Sequence, residues 1–187
     1  MKNLEEVVYL GALLTKSHDT KKEITSRLAV CMYTWKQLDI FWKKSICPLK
    51  FKIHVYDAVI RSKLVYGLET IQIPKYLCNK LNTFQLKGLR KILGMRTTFI
   101  DRSNTNRRVL DVASRCVNPP KHPGKDVKIF SEYVSDKSQA LLAHIIRSQP
   151  EDPMRQCTFE KDTNLPKIHI NRRVGRPREQ WASGAYK

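Results

Sequence analysis

A stripe of apolar residues runs through the first quarter of the sequence at intervals of four and three residues. Its members fall on one face of a helix with 3.6 residues per turn, and they are Ile24, Leu28, Cys31, Trp35, Leu38 and Trp42. Thr20 precedes the stripe and Glu23 follows it three residues later, which is the spacing of a capping box. The pattern predicts one amphipathic helix that begins at Thr20 and reaches about Trp42.

Two further helices are bounded by proline and glycine. The first follows Pro48, runs from Leu49 to about Tyr66 and ends at Gly67, and a short link makes it antiparallel to the helix before it. The second runs from about Lys75 to Leu93, with Pro74 before it and Gly94 after it. Proline suits the first turn of a helix and glycine suits the residue after its end, so both assignments rest on local chemistry.

The remaining segments give a coarser prediction. Residues Val7–Thr15 are apolar and partly β-branched, which indicates a short strand pair or an extended edge. A polar helix capped by Ser103 or Asn104 follows, then a proline-rich linker, then a helix over Asp126–Arg147. We therefore predict a mainly α fold with four regions: a helical domain over 1–100, the polar helix and linker over 101–125, a helix over 126–148, and a basic, extended and partly disordered tail over 149–187.

The charge of the chain is extreme. Lys and Arg number 35 and Asp and Glu number 17, which gives a net charge of +18 and a pI near 9.9. Such a surface attracts polyanions, which release their counterions on binding. Charge kept for solubility and attraction to an anionic membrane face are the alternatives, but the excess is large for the first and no lipidation motif supports the second. Nucleic acid is the expected partner.

Three observations bear on the compartment of the protein. No uncharged run exceeds nine residues, whereas a membrane-spanning helix needs about 20 apolar residues, and the acidic Glu5 and Glu6 stand where a secretory signal would be basic and then apolar. The five cysteines are widely separated and lack zinc-site spacing. We expect an intracellular protein in a reducing compartment, with five free thiols that mostly act as small core residues.

The helix over Lys75–Leu93 has two different faces. Leu77, Leu81, Phe84, Gly88 and Ile92 fall within about 80° of one another, while Lys80, Lys87 and Lys91 fall within about 40° on a neighbouring edge that Arg90 widens. From Lys75 to Arg96 there are six basic residues and no acid, so no ion pair within the helix can neutralise the edge. A solvated helix face is the alternative, but we interpret the edge as facing a polyanion.

The C-terminal tail contains Gly175-Arg176-Pro177 between further arginines. A segment of this kind can lie in the narrow, negative minor groove of A·T-rich DNA, as an AT-hook does. The match is partial because Val174 precedes the glycine, and a tail that contacts phosphates alone is the favoured alternative. Trp181 either anchors the tail on the body of the protein or stacks on a base.

Catalytic and metal-binding patterns are absent from the sequence. It contains no phosphate-binding glycine loop, no Gly-x-Ser-x-Gly, no His-Glu-x-x-His and no adjacent Asp-Asp pair. Glu151-Asp152 precedes a proline and indicates a turn rather than a two-metal site, which needs carboxylates around two ions about 4 Å apart. We predict no catalytic residue, no metal and no cofactor.

Taken in order, the motifs resemble the region after the polymerase palm in non-LTR (LINE-type) retrotransposon reverse transcriptases. The likeness covers most of the chain and rests on Tyr9–Leu14, Glu23-Ile24 with Arg27-Leu28, Trp35 and Leu38, Lys52 with Tyr56 and Arg61, Leu64–Thr70, Phe84 with Leu89–Gly94, Asp101-Arg102 with Thr105-Asn106 and Val109-Leu110, Leu142–Arg147, and Gly175–Arg178 with Trp181.

This resemblance implies a thumb-like helical bundle that grips a template-primer duplex by its backbone, followed by the family's basic C-terminal region. The family's Tyr/Phe-Ala-Asp-Asp motif, fingers, palm, endonuclease and Cys/His knuckle have no counterpart here. The implied function is an RNA or RNA–DNA duplex binding module without polymerase activity of its own. The alternatives are a structural RNA-binding subunit of a ribonucleoprotein particle and a split thumb that completes a palm-containing polymerase chain.

Both lines of reasoning predict a set of phosphate contacts with little base specificity, because phosphate is common to RNA, DNA and hybrid. On the helical domain the predicted contacts are Lys43, Lys44, Lys50, Lys63, Lys80, Lys87, Arg90, Lys91 and Arg96, and on the tail they are Arg172, Arg173, Arg176 and Arg178.

Overall fold

A computed structural model describes residues 6–9, 11–15, 19–118, 126–161, 163–167 and 181–186 of the chain. Within these ranges the protein is mainly α, as predicted, with one antiparallel strand pair. Strand β1 is Glu6–Tyr9 and strand β2 is Ala12–Thr15, with Glu6 opposite Thr15 and Tyr9 opposite Ala12. The turn between them contains Gly11 at φ +81°, a left-handed conformation that favours glycine. The strand pair predicted over Val7–Thr15 is confirmed.

The helices follow in chain order. They are α1 (Thr20–Gln37), α2 (Asp39–Lys44), α3 (Leu49–Tyr56), α4 (Ser62–Val65), α5 (Lys75–Leu93), α6 (Asn106–Val117), α7 (Phe130–Arg147), α8 (Pro153–Thr158) and α9 (Trp181–Ala185). A π-helical turn, Asp57–Arg61, joins α3 directly to α4, and a 3₁₀ turn occupies Leu68–Thr70.

The described residues form two compact units. The first contains those up to Tyr66 together with Ile73–Glu132, and the second contains Gly67–Gln72 together with those from Tyr133 onward. The second unit includes a short segment that precedes α5, Gly67–Gln72, and the four regions predicted from the sequence stay a prediction. Each unit is described by itself below.

In the first unit, the predicted helix from Thr20 to Trp42 is interrupted. Leu38 leaves the helical conformation, and α2 begins after it. The interruption lets Trp42 stack on Trp35, with ring centroids 4.6 Å apart, and donate a hydrogen bond from Nε1 to the carbonyl of Trp35 at 3.3 Å. In one continuous helix the seven-residue separation would place these two residues about 10 Å apart along the axis.

The N-terminal cap of α1 also differs from the prediction. Asp19 is the cap, and its carboxylate accepts hydrogen bonds from the backbone N–H groups of Lys21 and Lys22. Glu23 turns inward instead, where it pairs with Arg27 and accepts a hydrogen bond from the N–H of Leu13 at 2.8 Å. The capping-box spacing is present in the sequence, but the carboxylate of Glu23 joins α1 to strand β2.

The core of the first unit lies where α1, α3, α4, α5 and α6 pack together. Tyr56 is fully buried, and its ring stacks on that of Phe130 with centroids 6.2 Å apart. Gly88 of α5 faces this ring so closely that a Cβ there would lie 2.8 Å from Tyr56 Cε2. The fully buried residues of this core include Ile24, Ile53, Ile60, Leu64, Leu77, Leu81 and Val109.

Helix ends were predicted well where the signal is local. Helix α5 has the predicted bounds, and Gly67 and Gly94 follow α4 and α5 with φ of +68° and +67°. Helix α6 instead begins at Asn106 with Thr105 as its cap. Ser103 is engaged by the carboxylate of Asp101, and Asn104 donates to the carbonyl of Arg96, so neither of the predicted caps serves α6.

Helix α7 begins at Phe130, four residues later than predicted, because side chains of α5 hold its first turn. Gln85 accepts a hydrogen bond from the N–H of Phe130 at 2.7 Å, and Asn82 accepts one from the N–H of Ser131 at 3.0 Å. These amides occupy the role of an N-cap, since the first N–H groups of a helix lack partners within it.

In the second unit, the region predicted as extended from residue 149 contains regular structure. Asp152 caps α8 by accepting from the N–H of Met154 at 2.8 Å, and Phe159 forms a β-bridge with Pro166. Leu142, Ile145 and Phe159 form a small core against which Trp181 packs. Trp181 Nε1 donates to Ser138 Oγ at 2.6 Å, so this tryptophan is anchored on α7, one of its two predicted roles. The Gly175-Arg176-Pro177 segment, and the disorder predicted there, lie outside the described residues.

All five cysteines are free, but the prediction that most are core residues is wrong, since Cys31 alone is buried. Burial raises the pKa of the Cys31 thiol to about 11, although the positive charges of Lys63 and Arg27 oppose the shift. Thiolate is the reactive form of cysteine, and an unperturbed thiol has a pKa of about 8.5.

We therefore expect iodoacetamide at about pH 8 to modify the exposed Cys157 rapidly and Cys31 hardly at all in the folded protein. Mass spectrometry of peptides taken at intervals measures both rates, and the urea-unfolded protein is the control in which the two rates converge. Equal rates in the folded protein would contradict the burial of Cys31.

Candidate nucleic-acid interface

The side chains of Lys80, Lys87 and Lys91 form an exposed row along α5, which we call the basic edge. Their positions at i, i+7 and i+11 keep them within about 40° around the helix. Along the axis they are separated by about 10 Å and about 6 Å. The buried face of α5 fixes this row in place, because Leu77, Leu81, Leu89 and Ile92 are in the core.

The cations of α5 have no acidic partners within the part of the chain that the structure describes. Ion pairs among the described residues join Lys22 to Glu6, Arg27 to Glu23, Lys43 to Asp39 and Arg61 to Asp57, and none of them involves a basic residue between 75 and 96 in this part of the chain. No carboxylate of the described residues therefore pairs with the lysines of the basic edge.

Asp101 is the acid that follows α5 in the chain. Its pKa lies below the ordinary value mainly because Ser103 donates two hydrogen bonds to the carboxylate, from Oγ at 2.7 Å and from N at 2.9 Å. The charges of Arg108 and Arg96 lower the pKa further by smaller amounts. None of the ion pairs in the described part of the chain joins Asp101 to Lys80, Lys87 or Lys91.

Lys91 has an additional aromatic neighbour. Its Nζ lies 5.9 Å from the centroid of the Trp35 ring, which is itself stacked on Trp42. A cation over an aromatic face gains about 0.5–1 kcal/mol at an exposed site. This contact limits the positions that the Lys91 ammonium can adopt, so less side-chain entropy remains to be lost when it binds an anion.

Arg90 differs from the lysines beside it. Its Nη2 donates to the carbonyl of Asn104 at 3.1 Å and to Oδ1 of Asn106 at 2.8 Å, and its Nε is buried. These bonds tie the end of α5 to the loop before α6. The guanidinium is thus engaged in the fold, and its contact with phosphate stays a prediction.

The other predicted contacts are distributed over several elements. Lys44, Lys50 and Arg96 are exposed. Lys43 pairs with Asp39 at 2.6 Å, and Lys63 donates to Thr34 Oγ1 at 3.4 Å. The tail contacts Arg172, Arg173, Arg176 and Arg178 lie outside the described residues, and the phosphate contacts of the whole set stay predictions.

A groove between α1 and α5 was not predicted from the sequence. It has a volume of about 370 Å³, is open to solvent, and is lined by Leu28, Met32, Tyr76, Asn79, Lys80, Thr83, Phe84 and Lys87. Phe84 was assigned to the apolar core face but is half-buried here. The signal available in the sequence was the spacing of Tyr76, Lys80, Thr83 and Lys87 at steps of four, three and four, which places them on one stripe.

The described ranges lack two other kinds of feature, a metal-binding cluster and a membrane-spanning helix. They contain no group of three or more His, Cys, Asp or Glu side chains arranged to hold a metal ion. They also contain no helix with the length and apolar character needed to cross a membrane. Comparisons with protein-family models, with curated proteins and with solved structures find no match to this chain.

Proposed function

We propose that this chain binds the phosphate backbone of RNA or of an RNA–DNA duplex along the basic edge of α5. The observation that carries the proposal is the row formed by Lys80, Lys87 and Lys91, which is exposed, held on a rigid helix and unpaired with any carboxylate in the described part of the chain. Like charges held this close repel one another, and a bound polyanion relieves that repulsion.

Binding of this kind is driven by the release of counterions from the nucleic acid, so its affinity falls steeply with salt. Ammonium groups on phosphates fix the position of a strand without reading its sequence. The proposed activity is therefore backbone binding with little base specificity, and it includes no catalytic step.

Two further features support the proposal. The net charge of +18 extends the attraction beyond the basic edge to the chain as a whole. The ordered motifs also resemble the post-palm region of LINE-type reverse transcriptases, whose thumb grips a template-primer duplex by its backbone. That resemblance is the reason for naming RNA and RNA–DNA duplex rather than any polyanion.

The test replaces Lys80, Lys87 and Lys91 together by Gln and measures binding to a labelled RNA–DNA duplex by fluorescence anisotropy at several salt concentrations. Each phosphate contact contributes about 0.9 to the slope of log K against log salt, so losing three makes the slope shallower by about 2.7. Affinity falls most at low salt, where the lost contacts are strongest.

The matched control replaces Lys21, Lys36 and Lys161, which are exposed and outside the basic edge, and it removes the same net charge. We expect its salt slope to stay close to that of the unmodified protein. If the two triple variants shift the slope equally, net charge alone attracts the nucleic acid and the basic edge is not the binding surface.

A further inference from the structure

The groove between α1 and α5 combines an apolar floor with a cationic rim. Leu28 and Met32 of α1 and Phe84 of α5 supply apolar surface, and Lys80 and Lys87 stand at its border. Its lining contains no acidic residue among those that the structure describes. The two rim lysines also belong to the basic edge, so a strand that follows that edge passes directly beside the groove.

Aromatic surface inside the groove is open to a ligand. The Tyr76 side chain is 52% exposed although it lies on a helix with a well-packed core face, and Phe84 beside it is half-buried. Base stacking on aromatic side chains next to a positively charged track is how proteins hold single-stranded nucleic acid. Every base has a π-face, so stacking of this kind tolerates any sequence.

Polar groups at the same place suit the edge of a base. Asn79 lines the groove and is exposed, and its side-chain amide offers both donors and an acceptor. Thr83 donates its hydroxyl hydrogen to the carbonyl of Asn79 at 2.7 Å, which leaves its oxygen lone pairs as acceptors.

The size and charge of the groove select among possible occupants. A volume of about 370 Å³ is near the lower end of the range of about 300–1,000 Å³ for sites that hold one small molecule. Lys80 and Lys87 line the groove and favour an anionic group beside whatever fills its apolar surface. A nucleotide meets both requirements, because a flat base is joined to a phosphate. An acidic amphipathic helix would also match the charge, and it is the alternative occupant that the experiment below distinguishes from a nucleotide.

We propose that the groove takes the base of an unpaired nucleotide, with Tyr76 and Phe84 as its aromatic surface and Lys80 and Lys87 on the adjacent phosphates. This inference rests on the proposed function and adds to it a preference for strands that contain unpaired nucleotides. A fully paired duplex would contact the basic edge alone, since its bases stay stacked within the helix.

The test compares two single strands of about 12 nucleotides, a length within the usual site sizes, one intact and one with abasic sites throughout its centre. The intact strand should bind at least about fivefold more tightly, since each stacked base contributes that much or more. Tyr76→Leu should remove most of this preference while leaving the salt slope and the affinity for a paired duplex unchanged. Tyr33→Leu, which removes an exposed tyrosine of α1 outside the groove, should keep the preference.

Circular dichroism and thermal unfolding of both variants establish that each is folded. Two results would overturn the inference: equal binding of intact and abasic strands by the unmodified protein, or equal effects of Tyr76→Leu and Tyr33→Leu. If binding still depends on salt in either case, the proposed function stands. Displacement of the intact strand by an acidic amphipathic peptide, with no difference between the intact and abasic strands, would assign the groove to a protein partner instead. Loss of salt-dependent binding to every oligonucleotide would overturn the proposed function itself.

Discussion

Replacing Glu23 by Gln is expected to lower the free energy of unfolding by about 3–5 kcal/mol, because it leaves the charge of Arg27 buried without its partner. Glu23 is 4% exposed and Arg27 is 8% exposed. The carboxylate pairs with Arg27 Nε through one oxygen and accepts from the N–H of Leu13 through the other. Arg27 Nη1 in turn donates to the carbonyl of Tyr66. One ion pair thus connects β2, α1 and the residue after α4.

The guanidinium of Arg27 is already incompletely satisfied, since its buried Nη2 has no hydrogen-bond partner in the described ranges. Removing the carboxylate charge therefore leaves a buried cation with hydrogen bonds to neutral groups alone, which is the costly way to break a buried pair. Replacing both residues by uncharged ones, as in Glu23→Gln with Arg27→Met, is expected to restore part of the loss because no unpaired charge remains.

Urea unfolding followed by circular dichroism measures these changes, with the two single variants and the double variant forming a double-mutant cycle. Glu160→Gln is the matched control because Glu160 is exposed, and surface substitutions of this kind change stability by about 0.5 kcal/mol or less. A loss for Glu23→Gln as small as that of the control would show that the pair is not buried as described.

The sequence predicted those parts of the fold whose cause lies within a few residues of chain. Helix α5 could be placed correctly because Pro74 and Gly94 act on the backbone beside them, whatever the rest of the protein does. The run from Leu49 to about Tyr66 was likewise predicted as one helix ended by Gly67, and α3, the π-helical turn and α4 follow one another there as far as Val65. The π-helical turn inside that run left no comparable signal.

The parts that were missed depend on partners distant in sequence. The helix is interrupted at Leu38, and Trp35 and Trp42 stack on each other across the break. In the sequence, the same two residues continue the apolar stripe and so favour one unbroken helix. The inward turn of Glu23 depends on Leu13 and Arg27, whereas the capping-box pattern considers Glu23 and Thr20 alone. In both cases the outcome depends on tertiary contacts: whether the helix continues past Leu38, and whether Glu23 caps α1 or turns inward.

In the candidate site, too, features with a local cause were predicted and features that depend on distant residues were missed. The basic edge of Lys80, Lys87 and Lys91 follows from the helical period, so it could be predicted from the sequence. The half-buried position of Arg90 could not, because it depends on the course of the loop that brings Asn104 to it. The groove could not be predicted either, because it forms where α1 packs against α5. The periodicity of a single helix does not say which other helix packs against it.

Replacing Gln85 by Leu is expected to destabilise the protein by about 2–4 kcal/mol. Gln85 is 1% exposed, accepts from the N–H of Phe130 at 2.7 Å and donates to the carbonyl of Lys128 at 2.9 Å. A buried N–H left without its acceptor costs about 1–3 kcal/mol, and the second lost hydrogen bond adds about 1 kcal/mol. Asn82 continues to hold Ser131, so the loss concerns the first residue of α7 rather than the whole helix.

Urea unfolding measures the loss of stability, and amide hydrogen exchange locates it, since the N–H of Phe130 should exchange much faster in the variant. Gln37→Leu is the control because Gln37 is exposed at the end of α1. Equal stability of the two variants, with slow exchange at Phe130 retained, would contradict the capping role of Gln85.

The Gln85→Leu variant also tests whether the two faces of α5 act independently. Gln85 lies about 180° around the helix from Tyr76 and nearly as far from Lys87, so its loss should not disturb the groove or the basic edge while the protein stays folded. We expect Gln85→Leu to keep the salt slope of nucleic-acid binding at temperatures well below its unfolding transition. A shallower slope in the folded variant would mean that the amides that hold α7 also fix the position of the lysines on the opposite side of α5.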